Sequence, residues 1–299
     1  MINISVLLMR GCYEFLFLTK TFNKMKTLCF SVLVFALFAC DNSTNSVNDK
    51  LDYVTSALKK DSLNDHYGAV EDLTKAILEN GDNLDRLYYE RAMIKGKLND
   101  HDGAIKDLTR ALLINDKAYS YYQIRASEKY HLKDYYGCIS DYSKAIELNT
   151  NDRYLYLLRG LAQSDLGLYE EAVLDYTKVI DLDSTDTYAY ANRGNAKLEL
   201  KDIDGSLQDY LKGLHFDPKD EVLLYNIADT YYELNERENS FKFINKAIKI
   251  RPNDANQHYL RGLIFHDDGD NIAACEDWSK AKYLGSSIAA NKLKEFCKK

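Results

Sequence analysis

The sequence predicts an all-α fold: a right-handed α-solenoid of seven helix-turn-helix units, closed by a C-terminal capping helix. Three observations predict it. Small residues recur every 34 positions after a first step of 35, bulky residues sit between them at helical intervals, and only 2 of 299 residues are proline. A fixed period of this length marks an array of stacked units, because one helix pair alone cannot bury both of its apolar faces. With 46% hydrophobic and 28% charged residues, the chain is also too apolar for disorder.

The N-terminal segment reads separately from the array. Residues 1–39 hold Arg10, Lys20, Lys24 and Lys26 against Glu14, a charge of +3, which leaves −10 for the remainder of a chain whose net charge is −7. An acidic body argues against a nucleic-acid partner. Met25 and Lys26 open a basic stretch, followed by the apolar run Leu28 to Ala39, Cys40 and a polar segment to Lys50. That is the layout of a secretory signal. The run is twelve residues long, whereas a membrane-spanning helix needs about 20. Leu37, Phe38, Ala39 and Cys40 resemble the bacterial lipoprotein cleavage box, with Phe38 departing from the small residue commonest at its position. The resemblance implies diacylation of Cys40 and a membrane anchor in a bacterial cell envelope, at the outer membrane. An ordinary secretory signal with an incidental cysteine is the alternative. Residues 25–39 are therefore expected to be the signal peptide, and residues 1–24 an upstream extension outside the native protein. Residues 40–50 are expected to be a flexible tether.

The repeats fill residues 51–285. Leu63 to Ile77 and Leu98 to Leu112 agree at ten of fifteen positions. Ala69, Ala104, Cys138, Ala172, Ser206, Ser240 and Ala274 form one small column, and Ala76, Ala111, Ala145, Val179, Gly213, Ala247 and Ala281 a second. Between them runs a bulky column: Leu73, Leu108, Tyr142, Tyr176, Tyr210, Ile244 and Trp278. Offsets of 0, 4 and 7 place all three on one helix face. Upstream, Tyr88, Tyr122, Tyr156, Tyr190, Leu224 and His258 each precede a small residue by four positions, which defines a first helix in each unit. Polar breaks such as Asn99–Asp100 and Lys201–Asp202 separate the two helices. Asp116, Thr150, Ser184, Pro218 and Pro252 lie between units, where helices end or start.

One charged column covaries within the chain. Arg91, Arg125, Arg159, Arg193 and Arg261 are each followed sixteen residues later by Asp107, Asp141, Asp175, Asp209 and Asp277, whereas the sixth unit has Ile227 and Phe243 and the first has Ser56 with Asp72. Charges that vanish together predict structural Arg–Asp pairs within a unit, not a ligand-binding ladder.

The 34-residue unit resembles the tetratricopeptide repeat, with that family's small-large-small pattern in every copy, the large residue being aromatic in four of the seven. Tyr stands where the family often has Trp, and Pro closes only two units. The resemblance implies a concave groove lined by first helices that takes a peptide or partner protein. By position it assigns Tyr89, Met93, Gln123, Tyr130, Leu157, Asn195, Tyr225, Asp229, Tyr232, Tyr259 and His266 to that groove. Tyrosine offers contact area and a hydroxyl at small entropic cost, which suits recognition. The lysine and asparagine pattern with which some family members clamp a terminal carboxylate is not reproduced, which disfavours a cytosolic adaptor.

Beyond Gly285, residues 286–299 are expected to form the cap, with Ser286 or Ser287 capping a helix that runs through Lys298. Ile288, Leu293 and Phe296 are expected to cover the exposed end of the array. Cys275 and Cys297 are equidistant from Ser286, so an antiparallel hairpin sets them opposite; a disulfide and simple packing are both open. Cys138 reads as core.

No phosphate loop, nucleophile elbow or dinucleotide fingerprint is present, and the six histidines make no metal spacing with cysteine. His258 and His266 with Asp267 or Asp268 are a weak metal alternative to solvated or packing roles. The chain is thus expected to be a non-enzyme without cofactor or metal. The first function class is a lipid-anchored scaffold holding a protein or peptide; the second is glycan or peptidoglycan binding through the tyrosine faces.

Overall fold

The computed structural model describes residues 53–79 and 83–297, and every regular element among them is an α-helix. The signal segment, Cys40 and the tether lie outside the described residues. The chain divides into two compact units, Met1–Ile94 and Lys95–Lys299. The first holds α1 (53–62), α2 (His66–Leu78) and most of α3 (Leu84–Lys97). The second holds α4 (His101–Ile114), α5 (Tyr119–His131), α6 (Tyr135–Leu148), α7 (Arg153–Asp165), α8 (Tyr169–Leu182) and α9 (Thr187–Glu199). It continues with α10 (Ile203–Phe216), α11 (Glu221–Glu233), α12 (Arg237–Ile250), α13 (Ala255–Asp267), α14 (Asn271–Tyr283) and α15 (Ser287–Phe296).

In the second unit each odd-numbered first helix from α5 to α13 packs on the even-numbered helix that follows it, and that second helix packs on the first helix of the next repeat. The small columns explain how. Ala104, Cys138, Ala172, Ser206, Ser240 and Ala274 are fully buried, as are the bulky Leu108, Tyr176, Tyr210, Ile244 and Trp278 between the helices. In the first unit Ala57, Ala69, Leu73, Ala76 and Leu87 form the equivalent core. Glycine on three first helices admits the ring of the partner helix. A Cβ at Gly194 would stand 2.4 Å from Tyr210 Cε1. Gly194→Ala is therefore expected to lower the thermal midpoint, since overpacking costs about 1–3 kcal/mol against the ~1 kcal/mol that alanine gains in a helix. An unchanged midpoint would mean that the Tyr210 ring slides aside freely.

The turns within hairpins share one backbone solution. Asn64, Asn99, Lys133, Gly167, Lys201, Asn235 and Gly269 all adopt positive φ, and the next residue caps the second helix. Asp65, Asp100, Asp134, Asp202 and Asp270 accept hydrogen bonds from the backbone N–H three residues on. A left-handed backbone costs an L-residue about 1–2 kcal/mol. Lys133→Gly and Lys201→Gly are each expected to raise stability by up to ~1 kcal/mol, part of the relief being offset by glycine's larger entropy loss; urea midpoints check this.

Two sequence expectations shift. The column Asp116, Thr150, Ser184, Pro218 and Pro252 lies in the connecting turns, and the caps stand two residues later: Asp152, Asp186, Asp220 and Asp254 accept from the first-turn N–H groups of α7, α9, α11 and α13. At the C-terminus, Ser286 is the cap and α15 ends at Phe296. Ile288 does not cover the array end: it is 58% exposed, whereas Ala289 is fully buried. One residue of register decides this, because Ala289 and Leu293 lie on the inner face with Trp278 and Ala281. Among the described residues no helix is long and apolar enough to cross a membrane.

Candidate functional site

The first helices carry two polar systems on different faces. One faces the partner helix. Arg125 donates from Nε and Nη2 to the two oxygens of Asp141 at 2.8 and 2.6 Å. Arg159 meets Asp175 at 2.7 and 2.7 Å, Arg193 meets Asp209 at 2.9 and 2.6 Å, and Arg261 meets Asp277 at 2.7 and 2.8 Å. These bidentate forks suit guanidinium and carboxylate geometry. Arg91, in the first unit, donates to Thr74 at 2.9 Å; Asp107, in the second, accepts from Lys95 at 2.7 Å.

Sequence reasoning missed three further members of this system. Lys129 and Lys197, four residues after their arginines, reach Asp141 and Asp209 at 2.8 Å each. His258 Nδ1 donates to the Asp277 carboxylate at 3.0 Å, so it belongs to packing. Each arginine also spends its remaining Nη1 on the preceding repeat: Arg125 on Thr109, Arg159 on Ser143, Arg193 on Thr177 and Arg261 on Asn245, at 2.8–3.1 Å. The signal was present in the sequence, because the corresponding residue before Ile227 is Leu211. In that sixth repeat Ile227 is fully buried and Tyr231 stacks on Phe243 with centroids 5.8 Å apart.

The second system lies on the opposite side of the first helices. Here Gln123, Tyr130, Leu157, Tyr225, Asp229, Tyr232 and Tyr259 are half-buried and Asn195 is exposed; in the first unit Tyr89 and Met93 are half-buried. Tyr232 donates to Asp267 at 2.7 Å and Tyr130 donates to Asp165, each across to the next repeat, while Asn195 accepts from Tyr210 of its own repeat at 2.6 Å and from the Asn226 amide of the next at 3.3 Å. Burial, with Asp229 and Asp254 nearby, pushes the Tyr225 hydroxyl up to about 12. Burial first and Glu233 second raise the carboxyl of Asp229 above the usual carboxylate range.

His266 departs from the groove assignment. Its ring packs against Phe296 at 4.4 Å and Trp278 at 5.6 Å, and its Nδ1 pairs with Asn271 at 2.9 Å. The helical row that holds Tyr130 and Tyr232 ends under the terminal helix, so its last member serves the cap. No group of three or more His, Cys, Asp or Glu among the described residues is placed to hold a metal ion. Cys275 and Cys297 are disulfide-bonded with Cα atoms 5.8 Å apart. Cys138 is a buried thiol, pushed up to about 12 by that burial.

The tetratricopeptide-repeat family model matches residues 85–117, 154–186 and 222–254. No curated protein is significantly similar to the chain. Among solved structures, a tetratricopeptide-repeat protein from Parabacteroides merdae aligns with a TM-score of 0.63 at 20% identity, over 84% of this chain and 100% of the other. The C-terminal part of a repeat-containing protein from Cytophaga hutchinsonii aligns with a TM-score of 0.67 at 17% identity, over 80% and 99%. YrrB, a repeat protein with an unusual peptide-binding site, aligns with a TM-score of 0.52 at 16% identity, over 63% and 97%. At these identities the likeness is one of fold.

Proposed function

We propose, on the premise that this chain is a tetratricopeptide-repeat protein, that it is a non-enzymatic interaction scaffold which seats a peptide or partner protein on its first-helix face. One observation carries the reading. Tyr156 and Tyr190 are buried between helices, whereas Tyr225, Tyr232 and Tyr259 pack against the core clusters with only part of each side chain and leave the rest open to solvent. Partly exposed tyrosines with a hydroxyl at the rim suit recognition of another chain. YrrB, a repeat protein similar to this one in fold, has a peptide-binding site.

A photo-crosslinking residue at Tyr225 tests the reading against one at Leu174, which is 70% exposed on a second helix. A defined protein adduct from position 225 alone supports the scaffold. No adduct at 225, with saccharide-dependent thermal stabilisation instead, supports glycan binding through the same tyrosines. The reading extends to location: Leu37 to Ala39 before Cys40 is the sequence support for a lipid anchor in a bacterial envelope. Mass spectrometry of the mature chain is expected to find a diacylated Cys40 at its N-terminus, and an intact unmodified Met1 would overturn the anchor while leaving the scaffold standing.

A further inference from the structure

The cleft between α14 and α15 has a disulfide in its wall. It measures about 660 Å³ and opens to solvent, with Ile272 and Phe296 as apolar sides, Glu276 and Ser279 among its polar ones, and both Cys275 and Cys297 lining it. Each of the two cysteines is partly exposed, whereas Cys138 is fully buried. A bridge that a thiolate can reach is the labile kind, and one shut inside a core is inert. Ile272 is 77% exposed, so the approach to the sulfurs is both open and apolar.

The bridge also positions a side chain that covers the first-helix face. Phe296 immediately precedes Cys297, and its ring lies 4.4 Å from that of His266 and 6.0 Å from that of Trp278. Beside it Tyr259 and Leu263 of α13 pack, with Leu293 and Cys297, on the cluster of Ala274, Trp278, Ala281 and Ala289. Tyr259, Leu263 and His266 stand in the last repeat where Tyr225, Asp229 and Tyr232 stand in the one before. All three lie against the capped end, and the clasp of that cap is the bridge.

We propose that the Cys275–Cys297 bridge is a thiol-exchange site, the substrate of a protein dithiol, and that its opening uncovers the last repeat's part of the first-helix face. One thiolate of the dithiol attacks one sulfur of the bridge. A mixed disulfide forms, the Cys275–Cys297 bond breaks, and the other cysteine leaves as a thiolate. The second thiolate of the dithiol, already at hand in the same molecule, then attacks the mixed disulfide and releases the remaining cysteine. Two electrons pass to the chain, which ends with two thiols; the dithiol ends as a disulfide, and the two protons it gives up reach the cysteines by way of water. With the bridge open, Phe296 is carried by a helix whose one buried residue is Ala289, and it leaves His266. The exchange step is independent of the scaffold reading above; that the uncovered positions serve binding rests on it.

The test treats the full chain with dithiothreitol under native conditions, blocks the thiols formed with iodoacetamide, removes both reagents and adds diethyl pyrocarbonate, with mass spectrometry reading the labels. Cys275 and Cys297 are expected to be alkylated while Cys138 stays unlabelled. Carbethoxylation of His266 is expected to rise about tenfold over the oxidised chain, as for a segment released from its packing, with the exposed His131 unchanged as internal standard. Cys297→Ser is expected to give the same rise without reductant, and Phe296→Ala to give it with the bridge intact. Bridge cysteines that stay unlabelled until urea is added would overturn the proposal, as would labelled cysteines with an unchanged His266 rate. Either result leaves the photo-adduct at position 225 standing, because Tyr225 is not part of the capped end. Loss of that adduct, with both labels as expected, would sink the scaffold reading and keep the exchange site.

Discussion

Arg159→Ala is expected to cost about 3–5 kcal/mol, the range for stripping a buried carboxylate of its cation, and to cost more than the same truncation at Arg125 or Arg193. The three arginines make the same bidentate contact, so the difference lies in what remains. Asp141 keeps Lys129 at 2.8 Å and Asp209 keeps Lys197 at 2.8 Å. Asp175 keeps nothing cationic: Gln163 stands where those lysines stand, and the Asp175 side chain is only 6% exposed. The sixth repeat shows the apolar solution, with Ile227, Tyr231 and Phe243 at the equivalent positions. The combined change Arg159→Ile, Gln163→Tyr and Asp175→Phe is therefore expected to recover most of the loss, because replacing a whole buried ion pair by packed apolar groups is often neutral. Thermal midpoints together with hydrogen exchange of α7 and α8 read both variants. Equal losses for Arg159→Ala and Arg125→Ala would show that the lysines contribute nothing to the seam.

Opening the bridge between Cys275 and Cys297 is expected to release α15. The two cysteines close a loop with a sequence separation of 22, for which the chain-entropy estimate is about 3 kcal/mol. Little else resists. The helix has 10 residues, and Ala289 is its one buried residue; a free helix shorter than ~12–15 residues is marginal in water. Beneath it lies Trp278, the single tryptophan of the chain, fully buried and 6.0 Å from the Phe296 ring. Cys297→Ser, or a thiol reductant, is expected to shift Trp278 emission to the red, increase its quenching by acrylamide and bring the α15 amides close to solvent exchange rates. An unchanged emission spectrum with the bridge open would mean that Leu293 and Phe296 hold the cap by packing alone.

How much of this was legible in the sequence depends on which atoms carry the information. The small and bulky columns fix where helices touch, because a carbon beyond Cβ at Ala104 or Ala172 has nowhere to go, and both sites are fully buried. The same period located the turns but not the caps, since Thr150 and Asp152 are equally plausible ends and only backbone hydrogen bonds separate them. The arginine–aspartate column was visible as covariation. Its second reach, to Thr109, Ser143, Thr177 and Asn245, went unread because polar residues of three kinds fill that column and Leu211 alone marks the exception. His266 shows the converse error. Position on the helix placed it with Tyr130 and Tyr232, yet the last repeat has no successor, so what its row meets is set by the terminal helix.

The Nη1 reach of each arginine has a consequence for modularity. Where α4 meets α5, α6 meets α7, α8 meets α9 and α12 meets α13, one repeat offers an oxygen acceptor and the next a guanidinium, a keyed joint that admits only a complementary successor. Between α10 and α11 the key is missing on both sides, with Leu211 and Ile227 at the positions that the acceptor and the arginine hold elsewhere. That seam is the natural exchange point of the array: segments recombined there keep an apolar junction, whereas a cut at any of the keyed joints strands a guanidinium or an acceptor.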